Sequence, residues 1–100
     1  MVKCVLIKER FGVIEEIETP LESDMYHILK GPATFIGHYE ELDVVVLKCR
    51  ESFIELSQNQ NRLPPPFEEE FVLGPMLLVR MNQDSEPEDF TLEEFTRYFS

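Results

Sequence analysis

A chain of 100 residues, 43% hydrophobic and 29% charged, has room for one core and is too apolar to remain disordered. Twenty acidic against nine basic residues give a formal net charge of −11, which repels phosphates and anionic lipid and excludes ordinary binding to nucleic acid or to a membrane surface. The longest apolar runs, at residues 44–47 and 75–79, fall far short of the roughly 20 residues that a membrane-spanning helix needs.

The chain starts Met1-Val2-Lys3-Cys4-Val5-Leu6-Ile7-Lys8, an apolar patch followed by charge with no small-residue cleavage site, so it reads as a first strand and not a signal peptide. With no export signal and only two cysteines, Cys4 and Cys49, each in a strand-like segment, the expected address is cytoplasmic or nuclear, with both thiols buried. A disulfide between them would require neighbouring strands.

Residues 2–8 and 13–18 flank Glu9-Arg10-Phe11-Gly12, whose glycine suits a tight hairpin loop. The second arm is the more polar, fits a sheet edge, and so gives a route to a homodimer. Thr19-Pro20-Leu21-Glu22 breaks the strand. Ser23 or Asp24 then caps a short helix with Met25, Ile28 and Leu29 on one face, stopped by Gly31-Pro32. Residues 33–39 and 43–50, separated by Glu40-Glu41-Leu42, form a second hairpin or meander. The run Val44-Val45-Val46-Leu47 suggests a central strand covered on both faces, and Phe53, Ile54 and Leu56 continue it as a short apolar extension.

Residues 57–62 are polar and turn-forming, and Pro64-Pro65-Pro66 predicts a stiff polyproline II stretch. A strand follows within residues 71–81, with Gly74-Pro75 marking a bulge or its true start. Thr91-Leu92-Glu93-Glu94 matches a capping box, with Phe90 and Phe95 placed for a hydrophobic staple. A terminal helix of about two to three turns should dock through Leu92, Phe95 and Phe99. Together these elements predict a single compact α+β domain over residues 1–100. Its mixed or antiparallel sheet has about five strands, in the order β-hairpin, helix, β-meander, strand, C-terminal helix.

Chemistry-bearing patterns are few. His27, His38, Cys4 and Cys49 have no metal-ligand spacing, and no glycine-rich phosphate loop or nucleophile elbow occurs, so no metal, cofactor or catalytic residue is assigned. The acidic pairs and the run at residues 82–89 read as solvated surface and not as catalytic or calcium sites. The stretch Arg62, Leu63, Pro64, Pro65, Pro66, Phe67, Glu68, Glu69 and Glu70 is the candidate interaction surface, because its prolines are preformed and exposed beside an acidic cluster. Residues 67–100 hold nine acids and two bases, so any acidic face belongs mostly to the C-terminal third.

The strings Asn61-Arg62-Leu63-Pro64-Pro65-Pro66, Phe71-Val72-Leu73-Gly74-Pro75-Met76-Leu77-Leu78-Val79 and Asp89-Phe90-Thr91-Leu92-Glu93-Glu94 resemble small uncharacterised proteins of large algal DNA viruses and similar phage and plasmid domains. The resemblance covers residues 57–98 and implies a polar-proline loop, a strand and a short terminal helix, with no catalytic residue to carry over. The leading expectation is a non-enzymatic domain that binds another protein. An acidic DNA mimic that inhibits a nucleic-acid-handling enzyme is the alternative, and a small enzyme using Asp or Glu in an unrecognised cleft is a third.

Overall fold

A computed structural model describes residues 1–21, 23–50 and 57–99. The opening hairpin forms as the sequence implies: β1 (Val2–Ile7) pairs antiparallel with β2 (Ile14–Thr19), from Val2 opposite Thr19 to Ile7 opposite Ile14. Gly12 at its tip has φ +83°, a conformation that side-chain-bearing residues adopt only at a cost. Asn61 clasps this tip. Its Oδ1 accepts the Gly12 N–H at 2.9 Å, and its Nδ2 donates to the carbonyls of Lys8 and Arg10 at 2.8 and 2.9 Å.

The short helix α1 spans Met25–Leu29, with Asp24 at its N-cap but no side-chain cap bond. Asp24 instead accepts a 3.3 Å bond from the Thr19 hydroxyl. The stop also departs from expectation, since the left-handed residue is Lys30, at φ 64°, and not Gly31. Glycine is needed next to it for space, because a Cβ on Gly31 would lie 2.5 Å from the Cys49 sulfur.

The second hairpin joins β3 (Ala33–Tyr39) to β4 (Val44–Cys49) through a 3-10 turn at Glu40–Leu42, with a register shift between Phe35 and Gly37. After the long loop come β5 (Met76–Met81), the two-residue β6 (Pro87–Glu88) and α2 (Leu92–Phe99). Gly74-Pro75 thus marks the start of the strand. The apolar extension expected at Phe53, Ile54 and Leu56 lies outside the described residues.

Every pairing is antiparallel, and the long strands lie in the order β2-β1-β5-β4-β3, with β6 alongside the end of β5. The Val-rich β4 is interior, but the central place belongs to β5. Met76, Leu77, Leu78 and Val79 are all at most 1% exposed, since neighbours cover both faces. Alternation along the strands splits the core into two layers. Val5, Ile7, Val44, Val46, Met76 and Leu78 pack with Leu63, Val72 and Phe90, and against Phe67, Leu92, Phe95 and Phe99. On the opposite face, Cys4, Leu6, Leu77 and Val79 pack with Leu21 and Leu29, and against Met25 and Ile28. Cys4 and Cys49 are both buried, on strands separated by β5. Burial pushes the Cys4 thiol up to about 11.

The junction into α2 is the best-defined local feature. Thr91 Oγ1 accepts the Glu94 N–H at 3.1 Å and the Thr91 N–H donates back to Glu94 Oε1 at 3.3 Å, completing the expected capping box. Arg80 reaches over from β5 with Nη2 2.7 Å from Glu94 Oε2. It also donates to the carbonyls of Leu42 and Asp89, and its guanidinium sits 5.3 Å above the centre of the Phe90 ring. The Arg80 hydrogen bonds hold the Glu94 carboxyl below its ordinary value, outweighing the opposing effect of burial. Among the described residues no helix is long and apolar enough to cross a membrane.

Candidate functional site

The proline loop does not run as polyproline II. The Phe67 N–H donates to the Pro64 carbonyl at 3.1 Å and the Glu70 N–H to the Phe67 carbonyl at 3.1 Å, so two consecutive turns fold the segment back on itself. The Pro65–Pro66 peptide within the first turn is cis. A polyproline helix has no internal hydrogen bonds, and the apolar flanks explain why turns replace it here. Leu63, 3% exposed, and the half-buried Phe67 both plug into the core, which requires the chain between them to turn.

Tyr39 anchors this arrangement. Its hydroxyl donates to the Pro64 carbonyl at 2.6 Å, and its ring meets Phe67 edge-on at 5.0 Å and Phe99 at 4.8 Å between centroids. Phe95 extends the cluster to Phe99 at 5.4 Å. Burial, with the negative charge of Glu68 second, pushes the Tyr39 phenol above its ordinary value, so it stays a hydrogen-bond donor. Phe67 fits because Gly37 lies beneath it, where a Cβ would collide with the ring. Gly37→Ala is therefore expected to cost about 1–3 kcal/mol in thermal denaturation. Combining it with Phe67→Leu should recover part of the loss; a Gly37→Ala variant as stable as the parent would rule out this packing.

Above the aromatic cluster opens a cleft of about 420 Å³, lined by His38, Tyr39, Glu40, Glu41, Leu42, Pro65, Pro66, Tyr98 and Phe99. Its walls come from three places: the end of β3 with the following turn, the proline loop, and the last turn of α2. Tyr98 is 56% exposed, off the apolar stripe of α2, and Pro65 and Pro66 are exposed opposite.

The predicted interaction stretch therefore divides. Pro65 and Pro66 line this cleft, and Leu63 and Phe67 are structural. Arg62, Glu68, Glu69 and Glu70 edge a separate polar hollow shared with residues 58–61, while Pro64 serves through its carbonyl. Tyr39, Tyr98, Phe99, Glu40 and Glu41 were not singled out for contact from the sequence, although Tyr98 stands visibly outside the 92, 95, 99 spacing.

The other candidate groups do not converge. His27 is exposed on α1, and no Asp or Glu among the described residues is buried. Among the described residues no three His, Cys, Asp or Glu side chains gather as a metal would require. In the acidic run at residues 82–89, Asn82 Oδ1 accepts the N–H groups of Asp84 and Glu86, a turn that closes the β5–β6 connection.

Fold and cleft together define an α+β domain whose antiparallel sheet is covered on both faces and whose open aromatic cleft sits at the junction of a loop, a strand end and a terminal helix. The chain belongs to the family of unknown function DUF5880, which it matches over residues 5–98. No curated protein and no solved structure matches it significantly.

Proposed function

We propose that this protein is a non-enzymatic interaction domain, and that the cleft between Pro65-Pro66 and the end of α2 seats a short basic segment of another protein that carries an aromatic or leucine side chain. The observation that carries this reading is the pairing of an exposed apolar wall with a carboxylate rim. Tyr98, Pro65 and Pro66 face one another, with Glu40 and Glu41 at the margin and Glu68 close enough to act on the Tyr39 phenol. Tyrosine and proline offer large contact area at little cost in lost motion, and the Tyr39 bond to Pro64 holds the loop in place before any partner arrives. A net charge of −11 steers a basic segment inward.

Two cysteines, both buried and on strands that are not neighbours, accord with a reducing compartment, cytoplasmic or nuclear. A viral source, as the likeness of residues 57–98 implies, would make a host protein the partner.

Selection from a displayed random peptide library tests the reading directly. The wild type is expected to enrich peptides that place Lys or Arg beside Tyr, Phe, Trp or Leu. Tyr98→Ala and Glu41→Lys should each lose at least about tenfold in affinity for the winning peptides, the scale expected of a truncated aromatic anchor. Enrichment of acidic peptides, or equal binding by both variants, would overturn it.

A further inference from the structure

The two edges of the sheet are finished differently. β2 closes one side with Glu15, Glu16 and Glu18, a row of charge of the kind that discourages pairing with another strand. β3 closes the other with seven residues that include no Asp, Glu, Lys or Arg, and among the described residues nothing pairs with its outer side. We propose that β3 pairs antiparallel with the β3 of a second copy of this chain, joining two sheets into one about a twofold axis near Phe35.

Backbone geometry gives the first support. The Arg50 N–H bonds the Pro32 carbonyl at 2.6 Å, which fixes Pro32, and two residues later Thr34, as facing β4. In an antiparallel ladder the intervening residues point the other way, so Ala33 and Phe35 direct their N–H and C=O groups outward. Phe35 is also 58% exposed at mid-strand, an unusual place for a phenylalanine to meet water. Across a twofold axis the two rings would lie side by side.

Charge gives the second support. Glu40 and Glu41 follow the C-terminal end of β3, while the exposed Lys30, whose ammonium lies 3.0 Å from Glu9, precedes its start and Arg50 is bonded alongside at Pro32. Antiparallel pairing centred on Phe35 lays residues 38–41 of one copy beside residues 29–32 of the other, so acid meets base at both ends. Pairing through β2 would instead set rows of glutamate against each other. The register shift between Phe35 and Gly37 bends the strand and keeps the new ladder short. Because both β3 edges are consumed and only the glutamate-bearing β2 edges remain outside, the assembly closes at two copies.

Sedimentation equilibrium over a concentration series is the test, with a mass approaching twice 11.8 kDa expected at the upper end. Phe35→Lys should weaken association at least about tenfold, whereas Glu16→Lys and Tyr98→Ala should leave it unchanged. As a readout independent of the lysine variant, Phe35→Cys should form a covalent dimer when oxidised glutathione is added, since facing residues in such a ladder lie about 5.5 Å apart. A chain that stays monomeric throughout, or a dimer abolished by Glu16→Lys and indifferent to Phe35→Lys, would overturn the proposal. Loss of peptide affinity in Tyr98→Ala with dimerisation intact keeps the two surfaces distinguishable.

Discussion

Phe90→Ala is expected to cost about 3–5 kcal/mol, enough to remove a large part of the roughly 5–15 kcal/mol by which a domain of this size is held folded. Phe90 is fully buried, and its ring sits in the core layer that α2 covers. Its N–H donates to the Lys3 carbonyl at 2.8 Å, tying the start of α2 to the first strand of the sheet. Truncation would leave a cavity where β1, β5 and α2 meet and would strip the Arg80 guanidinium of the ring beneath it. Differential scanning calorimetry should show Tm lowered by at least about 12 °C, while Phe90→Leu, which refills most of the space, should cost less. A loss below about 1 kcal/mol would mean that the ring does not fill this site.

The second large effect is expected at Asn59, 7% exposed and one of two buried polar residues among those described. Its Nδ2 donates to the carbonyls of Ile7 at 3.2 Å and Gly74 at 3.0 Å, and its Oδ1 accepts the Asn61 N–H at 2.9 Å. Its own N–H bonds the Val72 carbonyl at 2.8 Å. Two acceptors and one donor are thus satisfied by one amide, and only glutamine, one methylene longer, carries the same pair of N–H donors beside a carbonyl acceptor. Asn59→Ala should cost about 2–4 kcal/mol by leaving those groups unpaired. Asn59→Asp should cost more near neutral pH, because a carboxylate would face two carbonyl oxygens. The introduced carboxyl would have a folded-state pKa raised above its unfolded value. That variant should therefore regain stability relative to the parent as pH falls, and lose it as pH rises through the raised value. Urea denaturation at neutral and acidic pH checks both the order and the sign.

Much of the local structure was legible because its causes are local. Gly12 at the hairpin tip, Thr91 and Glu94 in the capping box, and Leu92, Phe95 and Phe99 at helical spacing each act within a few residues of one another. Strand order is set otherwise. Leu77 must find Leu6 and Leu47, partners 71 and 30 positions away in the chain, and nothing near Leu77 announces them. The Val-rich run at residues 44–47 looked central because β-branched residues suit any covered strand, yet β5 took the middle.

The proline triplet misled for a related reason. Its intrinsic preference is extended, but burial of Leu63 and Phe67 on either side, with Tyr39 bonded to Pro64, imposes a turn. The cleft was only half visible: Pro65 and Pro66 were marked for contact, whereas Tyr98, Glu40 and Glu41 reach it only through the packing of α2 and β3 on the loop.

Placing β5 between β1 and β4 has a consequence for synthesis. A nascent chain emerging from the ribosome displays two finished hairpins before Met76–Met81 has left the exit tunnel, and neither has anything to lean against on its inner side. The keystone strand arrives late, so a premature stop or proteolytic clipping upstream of Met76 leaves two sticky half-sheets, a substrate for chaperones and for aggregation.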